Sequence, residues 1–223
     1  MAAVVRVVPI FPLANVVLFP GVPLPLHIFE PRYRTMTAEA LAQDGRIALA
    51  LLRPGYEADY HGTPPVFETV GVGEIAQNQK LPDGRFHIVL RGTERGTILE
   101  ETRARPYRVA RVQVLPERAP PEGEAPDLSE SLATFREVIE RLGQPSRRDT
   151  EVLLREARVP GQLVDFMVSF LPFSPLEKLH YLGEPDVRTR ARRLAQALRS
   201  LRPLVEPPAF DPDGDPIHRV FPN

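Results

Sequence analysis

Residues 7–33 read VVPIFPLANVVLFPGVPLPLHIFEPRY, and this stretch decides how the rest of the chain is interpreted. Residues 7–26 carry no charge, so on hydropathy alone they resemble a membrane span or the apolar part of a signal peptide. The prolines among them argue against both, because each removes a backbone donor and opposes a helix, at a cost that hydrocarbon increases. They are Pro9, Pro12, Pro20, Pro23 and Pro25. The stretch therefore predicts buried, extended chain in a soluble protein.

Short runs of apolar and β-branched residues are separated by glycine or charged turns, which is typical of a sheet. They are residues 46–52, 66–75, 86–90, 97–99 and 109–115. Asp83 and Gly84 stand between two runs and tolerate the positive φ angles of a tight turn, so a hairpin is predicted there. Residues 31–42 predict a helix that begins with proline. Residues 1–115 thus predict a small β-barrel or sandwich with one helix.

The composition changes at residues 116–126, which are rich in proline and glutamate and are predicted to be a linker. Beyond them the apolar residues recur with a helical period, which predicts a helical bundle over residues 127–202. The last helix is expected to end before Pro203, because proline opposes its continuation. Residues 203–223 are rich in proline and aspartate and predict an irregular tail.

Two residue pairs predict where helices of this bundle begin. Asp127 with Glu130 resembles a capping box, and Ser174 with Glu177 gives a second such signature. Between them, residues 163–171 are densely apolar, which predicts the central and most buried helix of the bundle.

The composition excludes several kinds of enzyme. Cysteine is absent, which removes disulfides, thiolate nucleophiles and thiolate-bound metals, and a reducing cytoplasm fits this absence. Lysine occurs only as Lys80 and Lys178, and neither stands in a Gly-Lys-Ser/Thr context, so a Walker A loop is excluded. A serine nucleophile activated by lysine has only these two to draw on, and both are interpreted as solvated surface residues. We therefore expect no catalytic residue and no cofactor.

Two further patterns resemble binding sites but are interpreted otherwise. Residues 71–76, GVGEIA, match the dinucleotide pattern G-x-G-x-x-A, yet they lead into the hairpin instead of a helix, so they predict a bulged strand. The histidines are scattered without metal-ligand spacing or carboxylate partners, so no metal site is expected. They are His27, His61, His87, His180 and His218.

Arginines crowd the last predicted helix and support an alternative function, RNA binding. They are Arg188, Arg190, Arg192, Arg193, Arg199 and Arg202. Cations near a helix C-terminus also favour its dipole, which explains part of the cluster without a ligand. The formal net charge of −1 gives no long-range attraction for a polyanion, so nucleic acid is not the expected partner.

The opening stretch carries a family resemblance. Phe19-Pro20-Gly21 and the run from Leu24 to Tyr33 resemble the start of the Lon N-terminal substrate-binding domain family. The similarity continues through strand, hairpin and glycine-arginine segments into the helical half, and covers about residues 5–202. These segments are residues 70–75, 82–85, 92–95, 171–178 and 186–190. The resemblance implies an α+β fold in which a PUA-like β-barrel is followed by an α-helical bundle.

The resemblance also implies a function. In Lon proteases this unit precedes an AAA+ motor and a serine-lysine peptidase, and neither is encoded here, so the chain is identified as a stand-alone, non-enzymatic form. It is expected to bind unfolded or damaged polypeptide in the cytoplasm, as an adaptor or holdase in protein quality control, with a protease on another chain as a further candidate partner. Unpaired amides at proline-interrupted barrel edges, beside an apolar groove, are expected to hold such polypeptides.

Three residues at the expected barrel–helix corner are candidate substrate contacts: Phe29, Arg32 and Tyr33. For Phe29 and Tyr33 the alternative is core packing, since aromatic side chains usually fill such corners. For Arg32 the alternative is a bond to Glu30 or to a backbone carbonyl. RNA binding through the barrel and the arginine-rich helix, and small-molecule binding inside the barrel, stay open as other functions.

Overall fold

A computed structural model describes residues 3–60, 62–102, 105–142, 154–155, 157 and 159–205, with residues 202–205 described as helix without their side chains. The described residues form a six-stranded sheet followed by helices, which confirms the α+β fold. The strands are β1 (Val5–Leu13), β2 (Pro23–Ile28), β3 (Arg46–Leu52), β4 (Val66–Lys80), β5 (Phe86–Thr102) and β6 (Arg108–Val114).

Five of the six described strands close into a barrel. Strand β1 pairs in parallel with β3 and antiparallel with β6, and the ring is completed by the antiparallel pairs β3–β4, β4–β5 and β5–β6. Small and β-branched side chains fill its interior, and the least exposed are Ile10, Ala48, Ala50, Val70, Val72, Ala110 and Val112, all at 0%. Strand β2 lies outside the ring and pairs antiparallel with the first part of β5.

Strand β5 is longer than the sequence pattern predicts. The runs at residues 86–90 and 97–99 belong to this single strand, because the residues between them stay paired with β4, as in the pairs Gly73 with Gly92 and Gly71 with Arg95. The predicted hairpin is confirmed: Gly84 has a φ of +81°, and its N–H donates to the Leu81 carbonyl at 2.9 Å.

The uncharged opening stretch forms β1, a segment that crosses the sheet, and most of β2. Within the crossing segment, Leu18 and Phe19 are 1% and 0% exposed. A Cβ at Gly71 would overlap the Leu18 carbonyl, and one at Gly92 would overlap the Phe19 carbonyl, so these glycines let the segment lie directly on the strands. The register also shifts between Val72 and Gly73, which confirms a bulged strand.

The helices whose bounds are described are α1 (Pro31–Leu41), α2 (Ser129–Leu142), α3 (Pro160–Phe170), α4 (Pro175–Gly183) and α5 (Val187–Val205). Among the described residues, none of the helices combines the length and the apolar character needed to cross a bilayer. The capping box of α4 is confirmed, since the Ser174 hydroxyl accepts from the Glu177 N–H and the Glu177 carboxylate accepts from the Ser174 N–H. At α2, the Asp127 carboxylate accepts from the Ser129 N–H at 2.9 Å.

One prediction for the last helix was wrong. Helix α5 continues through Pro203 to Val205 instead of ending before the proline. Proline has no N–H to bond the carbonyl of residue 199, so the last turn of α5 has one helical hydrogen bond fewer. The predicted tail lies outside the described residues from residue 206 onward.

The helical core extends into the first half of the chain. Its side chains come mainly from α2, α3, α4 and α5, but Phe19, Val22 and Leu51 belong to the same cluster. Helix α3 is buried on several sides, with Phe166 and Met167 at 4% and 0% exposure, as the apolar pattern predicts. The helices therefore pack against the barrel through a shared apolar surface.

Candidate functional site

Arg32 holds the junction between β2 and α1. Its guanidinium lies 3.0 Å from the Glu30 carboxylate and donates to the Tyr60 carbonyl at 3.2 Å. It also lies 4.7 Å from the ring centroid of Tyr33. Arg32 thus makes both contacts named as alternatives to substrate binding, and it fixes the loop that contains Tyr60.

The structure separates the two aromatic candidates. Tyr33 is 7% exposed and packs against Phe11 with ring centroids 4.5 Å apart, and burial raises the pKa of the Tyr33 hydroxyl to about 12. Phe29 is 57% exposed. Tyr33 is therefore a core residue, whereas Phe29 is presented to solvent, so Phe29, Arg32 and Tyr33 do not share one surface.

A groove of about 500 Å³ lies on the exposed face of the sheet where β2, the end of β4 and the start of β5 run side by side. We call it the β2 groove. Its lining residues are Pro25, Leu26, His27, Gln77, Asn78, Gln79, His87, Ile88 and Val89. The ring of Phe29 lies 5.9 Å from that of His27, so this exposed phenylalanine stands beside the groove.

Among the described residues, those that line the β2 groove include no lysine, arginine, aspartate or glutamate. Side chains of a strand alternate between faces, and the register places Gln77 beside Val89 and Gln79 beside His87. Each glutamine amide offers both donors and an acceptor. The groove therefore combines apolar contact with hydrogen-bonding groups that match a peptide backbone.

Among the described strands, β2 and the end of β4, residues 77–80, each have one edge that pairs with no other strand. Closing the ring pairs most strands on both sides, and β2 is an outer strand of the described sheet. Pro23 and Pro25 have no N–H to donate to a further strand. The edge of β2 thus offers carbonyl acceptors more than donors, and the groove side chains must supply the donors.

A second, larger groove of about 730 Å³ lies between the barrel and helices α4 and α5, and we call it the junction groove. Its lining residues are Arg53, Phe67, Glu68, Thr69, Leu176, Glu177, Leu179, His180, Tyr181, Gly183, Glu184 and Arg193. Arg53 is held in place by the Phe67 ring at 5.0 Å and the Val66 carbonyl at 2.8 Å. Charges of both signs in fixed positions demand a complementary sequence from any ligand.

Deep between the barrel and the helices lies a buried charge cluster formed by Arg95, Glu117, Asp165 and Arg190. Arg95, Asp165 and Arg190 are 2%, 1% and 0% exposed. Arg95 pairs with Asp165, and Arg190 lies 2.5 Å from the Glu117 carboxylate. Arg190 Nε is also 3.2 Å from Asp165 Oδ1, outside hydrogen-bond geometry, so that contact is electrostatic only.

This cluster joins the two halves of the molecule. Arg95 on β5 donates to the carbonyls of Leu182 and Glu184 at the end of α4, at 3.3 and 3.2 Å. Burial raises the pKa of Asp165 to about 6, against the lowering effect of the two arginines. The charges are paired with one another and with backbone carbonyls, so their arrangement explains cohesion of the fold rather than chemistry on a ligand.

The sequence does not predict this cluster. Arg190 is one of the arginines that support the RNA-binding alternative, and its burial removes it from that set. The position of Arg190 in the sequence does indicate burial, since it lies three residues after Val187 and four before Leu194, on the inner face of α5. Glu117 falls within the predicted linker and carries no such signal.

The other arginines of α5 are partly engaged in ion pairs. Arg188 lies 2.5 Å from the Glu124 carboxylate, and Arg193 lies 3.7 Å from that of Glu184. The side chain of Arg202 lies outside the described residues. The arginine-rich helix is therefore less available to phosphate than its composition indicates.

Comparison with known proteins points to one family. A family model described as the ATP-dependent protease La (LON) substrate-binding domain matches residues 7–200. The Lon protease of Brevibacillus choshinensis is 26% identical over 205 residues, which is 90% of this chain and 26% of that protein. The Lon protease of Parabacteroides distasonis is 29% identical over 206 residues, 89% of this chain and 24% of that protein. The chain thus spans about a quarter of the length of these curated relatives.

Two solved structures share the fold. The N-terminal domain of Mycobacterium avium complex Lon protease aligns with a TM-score of 0.61 at 18% identity, covering 87% of this chain and 98% of that one. The Lon N-terminal domain protein from Xanthomonas campestris aligns with a TM-score of 0.62 at 22% identity, covering 86% and 98%.

Proposed function

The chain belongs to the family of Lon substrate-binding domains, and on this premise we propose that it binds polypeptide substrates in the β2 groove. One observation carries the proposal: an exposed phenylalanine, Phe29, stands beside an uncharged groove lined with glutamine and asparagine amides. Unfolded or damaged proteins expose apolar side chains and unpaired backbone groups together. The groove offers a partner for each.

The binding mode follows from the side chains. Covering an exposed phenylalanine contributes about 1.5–3 kcal/mol, which favours clients with apolar residues. The amides of Gln77 and Gln79 exchange hydrogen bonds with the client backbone, and backbone groups are the same in every sequence. Binding is therefore weak for any single segment and tolerant of sequence.

The three candidate contacts take different roles in this proposal. Phe29 contacts the client. Arg32 binds Glu30, the residue next to Phe29, and the Tyr60 carbonyl, and these contacts position Phe29. Tyr33 supports the same junction from the core.

We infer that the bound polypeptide is retained without being hydrolysed. In this role the domain is an adaptor or holdase that serves a protease, and the peptidase chemistry is supplied by that protease. A cytoplasmic location, in keeping with the absence of cysteine, belongs to the same proposal.

The test compares an unfolded protein with its folded form. A reduced and alkylated test protein and its native counterpart are each titrated into the full chain while binding is followed by fluorescence anisotropy. We expect the unfolded form to bind and Phe29→Ala to weaken that binding about tenfold, as loss of one apolar contact requires. The matched control is Leu176→Ala, another exposed apolar residue, which lies in the junction groove.

Each result has a defined meaning. Equal affinity for folded and unfolded forms would contradict polypeptide capture. A loss of binding in Leu176→Ala with none in Phe29→Ala would move the site to the junction groove. Binding of RNA in place of protein, with affinity falling steeply as salt is added, would favour the nucleic-acid alternative.

A further inference from the structure

Two histidines that are far apart in the sequence meet in the β2 groove. His27 on β2 and His87 on β5 are directly opposite in the antiparallel register. Their rings approach edge to face, with centroids 4.9 Å apart and planes at 74°. Both side chains are exposed to solvent. These two histidines show no metal-ligand spacing along the chain because 60 positions separate them, whereas the strand register fixes their distance.

The separation of the two rings matches that of two imidazoles on one metal ion. A metal–nitrogen bond of about 2.0–2.1 Å plus a ring radius of about 1.1 Å places each centroid about 3.2 Å from the ion. Two rings at ligand–metal–ligand angles from about 90° to about 109° then have centroids about 4.5–5.2 Å apart. The 4.9 Å observed for His27 and His87 lies within this range.

The surroundings favour a cation of a particular class. In the part of the chain that the structure describes, no lysine or arginine lines the groove, so none of these residues places a positive charge where it would repel an ion. Gln79 is opposite His87 in the register and brings an amide oxygen to the same face. Within the described residues, His, Cys, Asp and Glu form no group of three or more able to hold a metal, so this site has two strong ligands and leaves other positions to water or Gln79. Paired imidazoles select nickel, copper or zinc over calcium and magnesium.

We propose that His27 and His87 form a two-histidine site for a divalent transition-metal ion, with Cu²⁺ bound more tightly than Ni²⁺ or Zn²⁺ in keeping with the general order of divalent affinities. The ion links β2, whose one partner among the described strands is β5, to the rest of the sheet. Metal binding therefore stabilises the fold by an amount that rises with the logarithm of the ion's concentration over its dissociation constant. The site shares the β2 groove but does not rest on polypeptide binding.

The test uses the full chain without a polyhistidine tag and without any polypeptide client. Ni²⁺ is titrated by calorimetry, Cu²⁺ loading is followed by electron paramagnetic resonance, and the unfolding temperature is measured with and without Ni²⁺. The variants are His27→Gln, His87→Gln and the control His180→Gln, an exposed histidine on α4. Metal-free unfolding of each variant verifies that it folds.

We expect one ion per chain, a copper spectrum with two imidazole nitrogens, and a rise in the unfolding temperature with Ni²⁺. Either groove substitution weakens Ni²⁺ binding by about tenfold or more, because the second imidazole binds within the same molecule as the first. His180→Gln leaves all three results unchanged. Binding that persists in the His27→Gln, His87→Gln double variant, or single substitutions that lower the number of ions without changing their affinity, would overturn the proposal.

Discussion

The buried charge cluster and the β2 groove use polar residues in opposite ways. In the cluster, Arg95, Asp165 and Arg190 are nearly inaccessible, and each charge is directed at another charge or at a backbone carbonyl. In the groove, the polar side chains are amides and imidazoles that face solvent. Charge enclosed by the fold holds the barrel to the helices, whereas polar groups exposed at the surface stay available to a ligand.

The difference also separates stability from binding. A buried charge that loses its partner is left unpaired in a medium that solvates it poorly, so the free energy of unfolding falls sharply. Replacing an exposed amide changes the free energy of unfolding little, because water solvates the new side chain in both the folded and the unfolded state. The cluster should therefore dominate the free energy of unfolding and the groove should dominate affinity, and four predictions examine that division.

The largest effect is expected for Asp165→Ala. Removal of this carboxylate takes away the ion-pair partner that Arg95 contacts most closely and leaves both buried arginines with Glu117 alone, which lowers the free energy of unfolding by roughly 3–5 kcal/mol. Urea denaturation at neutral pH measures the loss. The matched control is Asp127→Ala, which removes an exposed carboxylate that accepts from the first turn of α2 and is expected to cost less. Equal losses in the two variants would show that burial does not increase the contribution of Asp165 to the free energy of unfolding.

A smaller loss is expected for Arg190→Met, about 2–3 kcal/mol, because Asp165 keeps its ion pair with Arg95 while the apolar chain retains part of the packing. Arg188→Met is the control on the same helix, since the exposed Arg188–Glu124 pair contributes about 0–1 kcal/mol. Thermal and urea unfolding of both variants compare them. A larger loss in Arg188→Met would contradict the assignment of Arg190 to the cluster.

A third prediction concerns pH and compares the protein with Asp165→Asn. Asp165 has a pKa of about 6 in the folded protein against 3.8 ordinarily, so between these values the folded state binds more protons than the unfolded state. By linkage, the free energy of unfolding relative to Asp165→Asn falls as the pH rises from 3.8 to about 6, and it is level above that range. Urea midpoints across this window measure it. If the stability relative to Asp165→Asn instead rises with pH, the two arginines lower the pKa of Asp165 by more than burial raises it.

The smallest effect on stability is expected in the groove. Gln79→Glu places a charge on a neutral, exposed surface, so the free energy of unfolding changes by less than about 0.5 kcal/mol. Binding of an unfolded polypeptide nevertheless weakens, because the carboxylate replaces an amide donor with an acceptor. Gln196→Glu, exposed on α5, is the control. Loss of stability in Gln79→Glu without loss of binding would break the division between the two regions.

Local features could be predicted from the sequence because they depend on residues close together in the chain. The capping box of Ser174 and Glu177 spans four positions, and the turn at Gly84 is set by a glycine at positive φ. The change from a period of two to a helical period separates the barrel from the helices. The length of β5 and the end of α5 were not predictable in this way, since pairing with β4 and the tolerance of Pro203 override local preference.

The candidate site was predictable only in part. The opening stretch identified Phe29, Arg32 and Tyr33. The sequence pattern around them does not show that Phe29 faces solvent while Tyr33 packs in the core. The groove depends on three strands that meet from separate parts of the chain. Their side chains become neighbours through register, which no single segment encodes.

Composition, periodicity and motif order are properties of the chain, and they indicate the barrel, the helical bundle, the family, and a buried, extended opening stretch. Which charges are buried and which polar groups converge depends on how distant segments pack. Arg95 meets Asp165 across 70 positions, and His27 meets His87 through strand pairing. Such contacts form after distant segments have packed, when the shared core and the strand register bring each pair of side chains together.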